Sequence, residues 1–206
     1  MQDSNRENKK DAILRAAEEE FMQKGFDGAR MMEIAKKAGV GHPLLHYHFS
    51  NKKKLFQNVI SGKFNILAQS VLFSLDETDK DIEERIGMIV SRHFDFVQQH
   101  ADYLRFIINE LEVHPELLEE VKPFLAQQFE NASNKLQLLL DAAAEDGKIQ
   151  YMNASTLVLD IISLNAFCIW SRPLMNTRTK DGLDHVFLAM RKTEIVKMIL
   201  GRLRIE

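Results

Sequence analysis

The residues best suited to chemistry lie together between positions 42 and 54. Three histidines, His42, His46 and His48, flank Tyr47, and a run of three lysines at 52–54 follows within a few residues. Imidazoles can hold a metal ion or move a proton, whereas histidine, tyrosine and lysine together can also contact a polyanion. Each of these functions requires a different arrangement of the side chains. The helices that carry the side chains therefore determine which function is possible.

Two short helices are predicted around this segment, because apolar residues recur at intervals of three and four. The first spans roughly 32–38 and the second roughly 43–49. Gly39 lies between them and can take the positive φ of a tight turn. Ile34 and Leu45 mark the inward faces. Helices joined this closely predict a helix-turn-helix, whose second helix is sized for a DNA major groove.

The three histidines cannot meet at one metal ion. At about 100° per residue, His42 and His46 share one face of the second helix, while His48 points about 200° away from His46. A two-ligand metal pair of His42 and His46 is an alternative, but no nearby cysteine or carboxylate completes a tetrahedral set. We expect these two side chains to face DNA and His48 to be structural.

Tyr47 and the lysines extend this prediction to the DNA backbone. The Tyr47 hydroxyl can reach a phosphate, and its alternative is a core aromatic with an exposed tip. Lysines at the start of a helix oppose the helix dipole, a conflict that a bound phosphate would relieve. A solvated run of charge is the alternative for residues 52–54.

Charge is distributed unevenly along the 206 residues, whose formal net charge is −3. Residues 1–63 carry +4 and the remainder −7. A basic end on an acidic body is the asymmetry expected when that end meets a polyanion. The single cysteine, Cys168, excludes an intramolecular disulfide. With no secretory signal and no apolar stretch that would span a bilayer, we expect a cytoplasmic protein.

The rest of the chain is also predicted to be helical, which makes the fold class all-α. Further helices are predicted at about 7–24, ending at Gly25, and at about 51–75, 81–100, 102–113, 115–145, 154–171 and 184–203, with loops at Gly147, at Arg172-Pro173 and at 176–182. The helices at 154–171 and 184–203 are apolar on more than one face, which predicts burial against a partner.

Residues 11–56 combine three patterns at fixed offsets. A first helix ends in Gly-Phe, I-A-x-x-A-G-V occupies 34–40, and L-x-x-H-F-x-x-K-x-x-L occupies 45–55. Together they resemble the TetR family of transcriptional regulators. The resemblance implies a homodimer, with a three-helix DNA-binding head and an all-helical ligand-binding body in each subunit. It also implies dimerisation through a four-helix bundle formed by the helices near 154–171 and 184–203.

The resemblance places individual residues at the DNA. His42, Pro43 and His46 fall on base-contacting positions, and Tyr47 and Lys52 on phosphate-contacting ones. The chain departs from the family's pattern with Gly41 and Leu44, where polar residues are usual, although Leu44 stays in the DNA-facing set. Arg30 stands near the position of a capping threonine, and we expect it to supply a phosphate contact instead.

A small-molecule site is expected in the body, where aromatic and polar residues mix on the middle helices. An apolar cavity with few polar anchors suits a hydrophobic ligand. Core packing is the alternative for every candidate. The candidates are His93, Tyr103, Phe106, Asn109, Glu110 and Asn165.

The sequence therefore predicts a helix-turn-helix domain at 1–50 and an effector-binding and dimerisation domain at 51–206. We expect a repressor that binds a near-palindromic operator as a homodimer and is released by a small hydrophobic molecule, without a cofactor or metal. No Glu-x-x-His pair supports a di-iron enzyme, and no glycine-rich phosphate loop occurs. A helix-turn-helix that binds proteins instead of DNA is the alternative.

Overall fold

The computed structural model describes the backbone of residues 2–175 and 183–205 and the side chains of residues 8–168, 171 and 186–205. All regular structure in these ranges is helical, which confirms the predicted all-α class. The helices are α1 (Gln2–Gly28), α2 (Met31–Lys37), α3 (His42–His48), α4 (Lys52–Leu75), α5 (Ile82–Gln99), α6 (Ala101–Val113), α7 (Pro115–Glu145), α8 (Ala154–Met175) and α9 (Leu183–Gly201).

Two helix ends differ from the prediction. Gly25 has φ 70° and ψ 174°, so it breaks the helical path as expected, but a further turn continues from it to Gly28. Helix α8 continues to Met175, past the loop predicted at Arg172-Pro173. Proline has a helix-compatible φ and costs one hydrogen bond, which a last turn tolerates better than a helix centre. The loop predicted at 176–182 lies outside the described residues.

The described residues form two compact units. The head unit comprises residues up to 65 together with 102–126, and the body unit comprises 66–101 together with residues from 127 onwards. Helix α4 begins in the head unit and ends in the body unit. This division concerns packing, and the functional boundary between residues 50 and 51 stays a prediction.

Aromatic packing holds the helices of the head unit together. Phe21 of α1 meets Phe56 of α4 edge to face, with ring centroids 5.1 Å apart, and Phe26 meets the same ring at 5.3 Å. Ile34 of α2 and Leu45 of α3 are fully buried in this cluster. The same core therefore fixes α2 and α3 against α1 and α4.

A buried carboxylate joins α1 to the end of α2. Glu20 of α1 lies 2.6 Å from the Nζ atom of Lys24 and 2.6 Å from that of Lys37, the last residue of α2. Lys24 first, and then Lys37, hold the pKa of the Glu20 carboxyl below its usual value. Because Lys37 closes the helix that precedes the turn, this contact helps to orient the helix-turn-helix.

We expect Glu20→Gln to destabilise the protein near pH 7 and to have less effect in acid. The folded-state pKa of Glu20 lies below the unfolded value of 4.5, so its contribution is complete above that pH and is lost as the pH falls through the folded pKa. Urea unfolding at about pH 7 and at about pH 3 measures the difference. Glu19→Gln, one exposed residue away, is the matched control. Equal effects of both substitutions at both pH values would exclude the ion-pair role.

Candidate nucleic-acid interface

The turn between α2 and α3 depends on the conformation of Gly39. Its φ is 65°, a region that residues with a Cβ rarely adopt, and an added Cβ would meet no atom within 4 Å. The Gly39 N–H donates to the carbonyl of Lys36, and the Val40 N–H donates to that of Ala35. Glycine is therefore required for its backbone conformation and not for space.

Helix α3 is anchored by its inward side. Leu45 and Phe49, one turn apart, are buried in the head core. Gly41 precedes the helix without a side-chain cap, and Pro43 is its second residue, where no intrahelical N–H donor is needed. The opposite side of α3 consequently points away from the core.

The outward side of α3 carries the residues predicted to face DNA. His42, Pro43 and His46 are exposed, Leu44 is half-buried, and Tyr47 is 73% exposed. The exposure of Tyr47 excludes the alternative of a core aromatic. Together these side chains form one accessible surface, which we call the α3 face.

The two exposed histidines contact each other and the backbone. The His42 and His46 ring centroids lie 4.5 Å apart, and His46 Nδ1 lies 3.3 Å from the Ser50 carbonyl oxygen. A carbonyl only accepts, so Nδ1 carries the proton. Nε2 of His46 is then an acceptor in the neutral ring and a donor in the charged ring. His48 is half-buried, consistent with the structural role predicted for it.

Lys52 has a structural role that its sequence position does not reveal. Its Nζ donates to the carbonyl oxygens of Asp27 and Ala29, at 3.2 Å each, and lies 4.5 Å from the centroid of the Phe26 ring. The ammonium therefore joins the start of α4 to the end of α1. Since an ammonium has three N–H donors, one stays available for a phosphate.

The neighbouring lysines are placed differently. Lys54 pairs with Glu120 at 2.9 Å, whereas Lys53 is exposed and has no hydrogen bond or ion pair to another described residue. Asn51 caps α4, because its Oδ1 accepts the Lys54 N–H at 2.9 Å. The three lysines thus have different roles. Lys52 binds backbone carbonyls at the end of α1, Lys53 is solvated and Lys54 is ion-paired.

Arg30 is a further exposed cation near this surface. It caps α2 in an extended conformation, with φ −120° and ψ 129°, and its side chain makes no capping hydrogen bond. A long guanidinium side chain held by one end can reach outward to a phosphate. The predicted phosphate contact is compatible with this placement and stays a prediction.

Four of the six ligand candidates belong to the head unit. Tyr103 is buried and donates from its hydroxyl to the Val59 carbonyl at 3.1 Å, and burial raises its pKa, with a smaller effect from the charge of Glu18. Glu110 accepts the Phe26 N–H at 3.0 Å. These two side chains therefore join α6 to α4 and to the kink in α1. Phe106 is partly buried and Asn109 is exposed.

The other two candidates meet in the core of the body unit. Asn165 and His93 are both buried, and Asn165 Nδ2 lies 3.0 Å from His93 Nδ1. Burial lowers the pKa of His93 to about 4. In the described ranges there is no group of three side chains that could hold a metal ion and no helix long and apolar enough to cross a membrane. Whether any of the six candidates binds a ligand stays a prediction.

Comparison with known proteins identifies the amino-terminal part. Residues 13–59 match the family described as bacterial regulatory proteins, tetR family. The HTH-type transcriptional activator FasR of Mycolicibacterium smegmatis is 33% identical over 118 residues, which cover 57% of this chain and 53% of that protein. The chain thus spans about half the length of this relative.

Solved structures share the fold over nearly the whole chain. A protein from Mesorhizobium loti assigned to the TetR-family transcriptional regulators superimposes with a TM-score of 0.71 at 21% identity, covering 97% of this chain and 98% of that one. FadR from Bacillus subtilis, solved in complex with stearoyl-CoA, superimposes with a TM-score of 0.67 at 17% identity, covering 94% and 98%. The family and its named relatives are transcriptional regulators and not enzymes. The glycine turn and the anchored α3 lie within the matched segment, so residues 13–59 carry the amino-terminal domain of bacterial regulatory proteins of the tetR family.

Proposed function

We propose that the protein is a ligand-responsive transcriptional regulator that binds a near-palindromic operator as a homodimer. The observation that carries this proposal is the α3 face. Four exposed residues and the half-buried Leu44 project from a helix whose other side is fixed in the core. A rigid support is what base recognition requires, because hydrogen bonds to base edges depend on fixed geometry.

Base and phosphate contacts are divided among the exposed side chains. We assign His42, Pro43 and His46 to the major groove, with Leu44 at its edge, and Tyr47 to a phosphate. Arg30 and Lys52 supply further phosphate contacts. Histidine, tyrosine and cationic side chains have the donors that these groups need, and phosphate contacts set the orientation on the duplex.

The support for a homodimer is an exposed apolar surface on the last two helices. At about 100° per residue, its members lie within a stripe about 140° wide on α8 and about 120° wide on α9. The same sectors also hold the exposed Ser163, Glu194 and Lys197, but a surface with this many large apolar side chains is uncommon on monomers, which supports a partner. Its members are Leu159, Ile162 and Phe167 of α8 and Val186, Phe187, Met190 and Met198 of α9. We call this surface the α8–α9 stripe.

A second copy of this chain is the partner that we propose for the α8–α9 stripe. The two stripes of one subunit facing those of the other would build a four-helix bundle, an isologous interface with two-fold symmetry. Such a dimer would present two α3 helices to DNA, about 34–36 Å apart on adjacent major grooves.

We propose a small, largely hydrophobic effector that binds in the body and releases a repressor from DNA. The fold has this capacity, since FadR of Bacillus subtilis was solved with stearoyl-CoA. Helix α4 starts at Lys52 in the head unit and ends at Leu75 in the body unit, so a change in the body can move the start of α4. A coupling of about 1–3 kcal/mol would weaken operator binding about 5–150-fold. Operator affinity that is unchanged by every compound binding the body would contradict this mechanism.

Selection of bound duplexes from a random DNA pool tests the proposal. The purified protein is expected to enrich a near-palindromic sequence, and added salt should release it steeply because phosphate contacts displace counterions. No enrichment at low salt would favour the alternative, a helix-turn-helix that binds protein partners.

A further inference from the structure

A polar pair lies inside the otherwise apolar core of the body unit. Asn165 of α8 is 0% exposed and His93 of α5 is 8% exposed. Asn165 Nδ2 lies 3.2 Å from the Val90 carbonyl oxygen and 3.0 Å from His93 Nδ1. Buried polar side chains are costly unless each donor and acceptor finds a partner, so the orientation of this pair matters.

The partners determine both the amide orientation and the imidazole tautomer. The Val90 carbonyl can only accept, so the Asn165 atom facing it is the amide nitrogen. The second N–H of that nitrogen points to His93 Nδ1, which must then be unprotonated. Since burial lowers the pKa of His93 to about 4, the ring is neutral near pH 7 and carries its proton on Nε2.

This arrangement leaves the other Asn165 atom without a donor. Oδ1 is buried, and no donor among the described residues lies within hydrogen-bond distance. A buried acceptor without a partner is costly, because its hydration is lost and nothing replaces it. The neighbours one turn away on α8, Ile161 and Cys168, and the nearby Phe94 of α5 belong to the buried apolar cluster and offer side chains with no strong donor.

We infer that Asn165 Oδ1 accepts a hydrogen bond from the effector, an apolar small molecule that carries an uncharged hydroxyl or amide N–H group. The inference rests on the proposed function, since it names the chemical class of the proposed effector. An ionised carboxylate has no donor for Oδ1 and would meet a second negative oxygen. A cation would lose its hydration in a site whose histidine is neutral.

Two isomeric probes test the donor requirement directly. 1-Octanol and heptyl methyl ether have the same atoms, but only the alcohol donates a hydrogen bond. Titration calorimetry with the full chain is expected to show 1-octanol binding about tenfold more tightly than the ether. Octanoate is expected to bind no better than the ether. Equal affinities for the two isomers, or no binding of 1-octanol, would overturn the inference.

Asn165→Leu tests whether the preference for a donor depends on this side chain. Leucine has a similar volume and removes both the unpaired oxygen and the amide, so the preference for 1-octanol should disappear while ether binding is retained. A preference that persists in Asn165→Leu would overturn the assignment to Asn165. The comparison of isomers in the wild type holds even where this variant does not fold.

The same preparation is tested for duplex selection, which separates the two conclusions. A protein that enriches its duplex but does not discriminate the isomers overturns this inference and leaves the DNA-binding proposal intact. A protein that enriches no duplex overturns the proposed regulator, whatever its affinity for the alcohol.

Discussion

Replacing Phe167 by glutamate is expected to convert the proposed dimer into a monomer and to abolish tight operator binding. Phe167 is 64% exposed and belongs to the α8–α9 stripe. In the proposed interface a carboxylate at this position would have to lose its hydration among apolar side chains. Light scattering coupled to gel filtration measures the mass. Operator affinity should fall about 100-fold or more, because the second head is no longer tethered to the first.

Leu138→Glu is the matched control for the dimer interface. Leu138 is 72% exposed, lies on α7 of the same unit and is not part of the stripe, so the same change of side chain should leave mass and affinity unaltered. A Phe167→Glu protein that stays dimeric with full affinity would contradict the interface. Dissociation caused equally by both variants would point to general destabilisation of the body unit.

Lys52→Ala is expected to weaken DNA binding on every sequence and also to lower stability. The substitution removes the proposed phosphate contact, which should reduce the slope of log affinity against log salt by about 0.9. It also removes the contacts to the carbonyls of Asp27 and Ala29 and to the Phe26 ring. Salt titrations of the selected and a scrambled duplex measure the first effect, and urea unfolding measures the second.

Lys53→Ala separates these two roles, since it removes the same charge from an exposed side chain that has no partner among the described residues. It should leave stability unchanged. His42→Ala should behave differently again, with a loss of about 1–3 kcal/mol at one base pair and no change in salt slope. Equal stability of Lys52→Ala and Lys53→Ala would contradict a structural role for the contacts between Lys52 and the end of α1. A sequence-specific loss in Lys52→Ala would mean that the base-contacting and phosphate-contacting residues are assigned wrongly.

The helix-turn-helix could be predicted from sequence because its determinants are local. Gly39 sets the turn through its own φ, and Leu45 and Phe49 turn α3 inward by their spacing alone. The exposure of His42 and His46 then follows from helical geometry. No contact with a distant part of the chain has to be known to predict which side of α3 is exposed.

Contacts between distant residues could not be predicted in the same way. Lys52 donates to carbonyls more than 20 positions earlier, and Lys37 of α2 forms an ion pair with Glu20 of α1. The pairing of Asn165 with His93 joins residues 72 positions apart. Backbone acceptors carry no side-chain signal, and spacing along one helix does not reveal which other helix packs against it.

The ligand candidates show a related difficulty. Aromatic and polar residues at helical spacing fit a core as well as a pocket. In the structure Tyr103 and Glu110 hydrogen-bond to the backbone within the head unit, while His93 and Asn165 pair in the body unit. An N-capping side chain is an easier signal, since an asparagine such as Asn51 directly before a helix commonly accepts a backbone N–H.

In the proposed dimer, two linked α3 faces recognise two half-sites on one side of a duplex. The most direct test changes the distance between the half-sites of the selected duplex. Inserting about five base pairs, half a helical turn, moves one half-site to the opposite side of the DNA. We expect this insertion to reduce affinity nearly to that of a single half-site. Affinity that is unchanged by the insertion would contradict a two-fold dimer that reads both half-sites at once.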